Sequence, residues 1–251
     1  MAGFLELPTR SDKPRDEGIT HVLDRGLSVA DIDSMVEVAG QAIDIVKLGW
    51  GTAIATGNLE RKLERYRHHE LPVVLGGTLT EVAISQARLD RLIGWVRELG
   101  LGHIEISDGT IALEHRRKLE LIEQLAREFT VLSEVGSKDD TGAITPPYRW
   151  VEMMRAELAA GAWKVIAEGR EAGTAGIFRP TGEVREGLIG EIVHEIDPRS
   201  IMFDAPRKHQ QVWFLRRFGP DVNLSNIAAD DVLGVETLRL GLRSDTLGIG
   251  R

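Results

Sequence analysis

Short apolar, strand-like runs recur along this chain, and they keep ending in the same kind of cluster: a charged or amide side chain followed by small residues. The clearest are Lys47-Leu48-Gly49-Trp50-Gly51, Glu105-Ile106-Ser107-Asp108-Gly109, Glu134-Val135-Gly136-Ser137-Lys138, Glu168-Gly169-Arg170-Glu171 and Asp204-Ala205-Pro206. Helical segments lie between them. The runs predict strands over 19–24, 43–48, 72–75, 103–107, 130–135, 164–168, 201–204 and 222–224, starting about 20–37 residues apart, the scale of one strand–helix unit. The intervening patterns predict helices over 29–40, 58–69, 80–99, 113–128, 148–160, 185–194, 207–217 and 230–241.

Eight strand–helix units in strict alternation predict an α/β chain forming one closed parallel sheet, a (β/α)8 barrel. The 251 residues suit one such domain, read as an N-terminal arm over 1–15 and a barrel over 16–251. A doubly wound open sheet is the alternative. It usually places a Gly-rich loop after its first strand, and Asp24-Arg25-Gly26-Leu27 carries no G-x-G-x-x-G. Polar groups collected at the C-terminal ends of parallel strands are how such a barrel builds an active site, so an enzyme is expected.

Composition narrows the chemistry. A net charge of −8 without a basic block argues against nucleic acid as the main partner. The absence of cysteine removes disulfides, thiolate metal sites and a cysteine nucleophile. No apolar run approaches the ~18 residues of a membrane span, and residues 1–12 lack the pattern of a secretory signal. A cytoplasmic protein without membrane contact is the expectation.

Several residues could carry chemistry. Lys47 reads three ways: a charge neutralised inside the rim, a ligand for an anion, or a Schiff-base lysine. Lys164 begins its strand and belongs to the opposite end. Glu105, Glu134, Glu168 and Asp204 end four strands, and carboxylates converging on one mouth repel unless a cation sits among them. Oxygen ligation points to a hard ion such as Mg2+; the alternative is pairing with Lys47, Lys138, Arg170 and Lys208. Gly169 and Arg170 combine close backbone approach with a planar cation suited to phosphate or carboxylate. Asn223 and Asn226 fall where a loop after the eighth strand would hold phosphate, or would serve in ordinary capping. Ser107 shares a strand face with Glu105. No histidine pair has convincing metal spacing.

Taken in order, Lys13-Pro14-Arg15, Asp24-Arg25-Gly26-Leu27, Gly49-Trp50-Gly51-Thr52, Gly76-Gly77-Thr78-Leu79, Glu105 to Gly109, Leu132 to Gly136, Glu168 to Glu171, Asn223 to Ile227 and Leu238 to Thr246 resemble the phosphosulfolactate synthase family. The resemblance spans nearly the whole chain. It implies a lyase that adds sulfite to phosphoenolpyruvate with Mg2+ assistance, on one route to coenzyme M, and homo-oligomeric association, a trimer being one form. It assigns Lys138 as the general acid beside Glu134 and Lys47. Arg170, Lys208, Gly169, Asn223, Asn226 and Ser107 are then expected to bind the anionic substrates, and Glu105, Glu168 and Asp204 the metal. Asp204 stands where the family more often has Glu, and Ala172 where it more often has Ser. A phosphoenolpyruvate enzyme using another nucleophile is therefore a second expectation, and a non-catalytic homologue, like the heat-stress-associated plant relatives, a third.

Overall fold

The computed structural model describes residues 4–136 and 145–250. Its sheet has eight parallel strands in the order β3-β2-β1-β8-β7-β6-β5-β4. These are β1 Thr20–Asp24, β2 Ile45–Leu48, β3 Val73–Leu75, β4 His103–Ile106, β5 Thr130–Val135, β6 Lys164–Ala167, β7 Ile201–Asp204 and β8 Leu224–Ala228. β3 and β4 lie side by side and bring the ring to a nearly closed barrel. Helices α1 Val29–Ala39, α2 Thr52–Ala55, α3 Leu59–His68, α4 Gly77–Ser85, α5 Leu89–Glu98, α6 His115–Leu125, α7 Pro147–Ala159, α8 Glu186–Glu195, α9 Lys208–Phe218 and α10 Val232–Arg239 fill the connections.

Strand alternation sorts the apolar residues into two layers. Ile19, Ile45, Val74, Leu132, Ile166 and Met202 pack together inside the barrel. Their neighbours Val22, Val46, Leu48, Ile104, Val131, Val165 and Phe203 face outward and join the helices in the larger core. The inner layer ends where Lys47, Glu105, Glu134 and Asp204, in the C-terminal halves of their strands, and Glu168, just past β6, replace aliphatic residues.

The strands and helices lie close to their predicted positions, with three differences, the first being the short α2 Thr52–Ala55, which no pattern predicts. The helix expected over 80–99 is two, α4 and α5, because Ala87 turns the chain with a left-handed φ of 52°. The eighth strand lies later than expected. Asn223-Leu224-Ser225-Asn226-Ile227 is polar enough to read as a loop, yet it pairs with β1 and β7, with a register shift at the bulge where Asn226 has φ 56°.

The segment before β1 is strapped across the N-terminal ends of the strands. Arg10 binds Asp221 at 2.8 Å, Lys13 donates to the Ile43 carbonyl at 2.5 Å, and Arg15 binds Asp44 at 2.9 Å. Lys164 holds Asp16 there at 2.9 Å, the stability-end role its position predicted. A cavity of about 1850 Å³ opens between this arm and the strand starts, lined by Lys13, Asp44, His103 and Trp163 among others. It lies at the end away from the converging carboxylates, and the candidate site is placed by chemistry rather than by size. No helix among the described residues is long and apolar enough to cross a membrane.

Candidate active site

Lys47 is the hub of the mouth. Its ammonium lies 2.9 Å from Glu105 Oε1 and 2.7 Å from Glu134 Oε1, and all three residues are buried. Burial works against the charge of Lys47, but Glu105, Glu134 and Asp204 outweigh it and hold its pKa well above the usual lysine value. The carboxylates move the other way. Burial, reinforced by the charge of Glu134, pushes Glu105 up to about 7 against the pull of Lys47 and of the Gly77 N–H. Burial also raises Asp204, opposed by Lys47 and aided by Glu134. One lysine therefore serves more negative charge than it neutralises.

Other side chains are held by the strand ends and loops. Asp204 accepts from Ser225 Oγ at 2.6 Å and from the Gly169 N–H at 2.9 Å. Glu168 accepts from the Arg170 N–H at 2.6 Å, with Arg170 at a left-handed φ of 57°. Gly169 allows this turn, because a Cβ there would lie 2.4 Å from the Phe178 ring. Across the β3–β4 seam, Glu105 Oε1 accepts from the Gly77 N–H while Thr80 Oγ1 donates to the Glu105 carbonyl at 2.8 Å. The start of α4 is thus fastened to β4 through Glu105. Beneath Lys47, His21 is fully buried inside the barrel with no hydrogen-bond partner among the described residues on either ring nitrogen. Burial first, then the charge of Lys47, depresses its pKa to about 3.

Of the residues expected at the site, the structure gathers Lys47, Glu105, Glu134, Glu168, Asp204, Ser107, Gly169 and Arg170 at the mouth. Three depart from expectation. Asn223 precedes β8 at the other end of the barrel, where its amide donates to the Arg199 and Ile201 carbonyls and accepts from Ile19 N–H, so it is a clasp between strand starts rather than a phosphate ligand. Lys208 pairs with Asp245 at 2.6 Å, with its side chain about half exposed. Asn226 sits within the β8 bulge, not in a loop beyond it. Ser107 stays at the mouth, but its hydroxyl donates to Glu81 Oε1; a carboxylate only accepts, so Ser107 can offer a guest lone pairs and no proton. Lys138 lies outside the described residues.

Among the described residues, five buried charges in the helical shell went unread: Lys62, Glu81, Lys118, Glu157 and Arg239. Each occupies an apolar helical stripe, as Lys118 does with Leu121, Ile122 and Leu125. A charge at a core-facing position was the available signal.

Among the described residues no three carboxylate or imidazole groups form a metal cage. Mg2+, however, usually takes one or two carboxylates and completes its shell with substrate and water. Glu105 Oε2, buried and without a hydrogen-bond partner among the described residues, suits such an ion.

Fold and rim together define a single-domain (β/α)8 barrel whose buried charged groups meet at the C-terminal strand ends. Solved barrels agree in fold: 3-hexulose-6-phosphate synthase superposes with a TM-score of 0.53 at 14% identity, covering 91% of this chain and 94% of that one. Sequence comparison is more specific. The family model for (2R)-phospho-3-sulfolactate synthase matches residues 8–245. The phosphosulfolactate synthase of Bacillus subtilis is 40% identical over 244 residues, 96% of this chain and 97% of the relative. That of Methanothermobacter thermautotrophicus is 39% identical over 246 residues, 96% and 95% respectively. The chain belongs to the phosphosulfolactate synthase family.

Proposed function

We propose that this enzyme joins sulfite to phosphoenolpyruvate, giving (2R)-2-O-phospho-3-sulfolactate. The observation that carries this reading is the family match over residues 8–245. A mouth where a buried lysine stands among excess carboxylates accords with it. The sulfur lone pair forms a bond to the terminal methylene carbon, and the carbon–carbon π pair moves into the substrate carboxylate as an enolate-like dianion. A proton delivered to the phosphate-bearing carbon completes the addition, so no oxidant or leaving group is needed.

The residues divide this work. Lys47, kept protonated by Glu105 and Glu134, supplies fixed positive charge to the carboxylate as the enolate develops. Arg170 suits phosphate or sulfite through its planar donors. Lys138 is the proposed acid. Lys208, committed to Asp245, is withdrawn from the substrate set. Glu105, Glu168 and Asp204 are the proposed oxygen donors to Mg2+, with Glu105 Oε2 the foremost. When bound, the ion would stabilise negative charge on substrate oxygens. Homo-oligomeric assembly in the cytoplasm belongs to the same reading; exposed apolar side chains such as Phe4, Ile54 and Leu247 favour it, and sedimentation measures it.

Purified protein supplied with phosphoenolpyruvate, sulfite and Mg2+ should consume phosphoenolpyruvate only when sulfite is present. Equal loss with and without sulfite, or none at all, defeats the reading.

A further inference from the structure

The layer between sheet and helices is mostly apolar, so a lysine ammonium within it calls for a reason. Lys118 of α6 is 1% exposed, and its Nζ makes three polar contacts. It lies 2.9 Å from Glu157 Oε1 on α7, 3.0 Å from Asp108 Oδ1 in the loop after β4, and 2.5 Å from the Glu134 carbonyl oxygen near the end of β5. Glu157 is itself anchored, accepting from Ser133 Oγ at 2.7 Å and lying 3.2 Å from His115 Nε2.

Each contact leads toward the mouth. Asp108 follows Glu105 by three residues, and Glu134 is the residue whose carboxylate grips Lys47. The loop after β4 is held from its other side as well: Glu81 of α4 accepts from Ser107 Oγ, from the Thr110 N–H at 2.8 Å and from Thr110 Oγ1. Residues 107–110 are therefore clamped between α4 and α6, and Lys118 links that clamp directly to β5.

Stability alone does not ask for this arrangement. A buried ion pair gains back little more than its desolvation cost, and a well-packed apolar pair of similar volume is often as stable. What an aliphatic side chain lacks is three donors able to fix three directions at once. Displacing reacting groups by about 1 Å can lower turnover on the order of 100-fold, so the register of β4 against β5 is worth holding.

We propose that Lys118 is a positioning residue for the mouth: by tying Asp108 and the Glu134 carbonyl to Glu157, it sets where Glu105 and Glu134 meet Lys47, without touching substrate. Its catalytic consequence rests on the function proposed above; its mechanical consequence does not.

The test uses the full chain carrying Lys118→Met with Glu157→Gln, which removes both charges while leaving Ser133 and His115 a polar partner. Three quantities are read: thermal midpoint, amide hydrogen exchange, and sulfite-dependent phosphoenolpyruvate turnover. The double variant should keep a midpoint within a few degrees of the parent. Exchange should rise about tenfold or more over residues 107–113 while β1 and β7 are unchanged, the pattern of a local loss of protection. Turnover should fall about 10- to 100-fold with KM for phosphoenolpyruvate shifted by less than about threefold, a positional signature. Lys118→Arg should restore part of both losses. Parent-like exchange and turnover in the double variant overturn the proposal. If that variant does not fold, Asp108→Asn decides: it cuts only the tie to the β4 loop, and unchanged exchange together with unchanged turnover overturns the proposal equally. Should the parent chain show no turnover at all, the reaction is lost, while raised exchange over residues 107–113 still supports the clamp.

Discussion

The two ends of this barrel handle buried charge in opposite ways. At the N-terminal end each of these cations has a partner: Arg10, Arg15 and Lys164 pair with Asp221, Asp44 and Asp16, Arg239 reaches the Pro220, Val222 and Ile19 carbonyls, and Lys13 the Gly40 and Ile43 carbonyls. Burial, with the repulsion of Arg10, depresses the Arg239 pKa to about 9, and burial lowers Lys13. At the mouth, carboxylates outnumber cations among the described residues, and Glu105 and Asp204 move upward instead. The difference separates stability from chemistry. One end uses charge to close strand starts against one another, and the other keeps an imbalance that a substrate or ion can resolve.

Removing the hub should break the comparison most sharply. Lys47→Ala is expected to lower sulfite-dependent turnover by about 1000-fold or more, since it takes away fixed charge that stabilises the transition state. It should also cost about 3–5 kcal/mol in denaturant unfolding, because Glu105 and Glu134 stay buried without their counter-ion. Activity near the parent's would remove Lys47 from the centre of the site. At the other end, Arg239→Met should lower stability by about 3 kcal/mol or more, the loss of charged hydrogen bonds to buried carbonyls. The remaining folded fraction should keep its KM. A Lys47-like collapse of kcat would mean the ends are not separable.

His21 sharpens the comparison through pH. Its folded pKa is about 3 against an ordinary 6.5, so below 6.5 the unfolded chain binds a proton that the folded chain refuses. Stability is thus favoured above 6.5 and falls as pH drops toward 3, by about 1.4 kcal/mol per pH unit from this residue. Urea midpoints compared between the parent and His21→Gln from pH 7 to 4.5 should converge as pH falls. Parallel curves would count against a buried neutral imidazole. The smallest effect is expected at the surface: Lys208→Ala should leave kcat and KM within about twofold of the parent, as a half-exposed pair with Asp245 contributes little. A tenfold rise in KM for phosphoenolpyruvate would return Lys208 to the substrate set.

Much of this was legible along the chain. The β5 span Thr130–Val135 and the β7 span Ile201–Asp204 are the predicted ones, because apolar runs bounded by small and polar residues leave little choice. The position of Lys164 at the start of β6 told which end it serves. β8 was misread for a definite reason: inside a barrel Ser225 can face inward because its hydroxyl donates a hydrogen bond to Asp204, so a polar run still forms a strand. Lys208 pairs with Asp245, a partner no local rule names.

The order of apolar runs and punctuation was enough to dictate eight parallel strands and to put lysine and carboxylates at their C-terminal ends, since period-two alternation and strand polarity are local properties of a chain. Which cation meets which carboxylate was settled only by closure. Lys47 and Glu134 are 87 residues apart, and no local rule brings them to 2.7 Å; the ring does so by setting β2 and β5 across a common interior whose low polarity makes each remaining charge seek a partner.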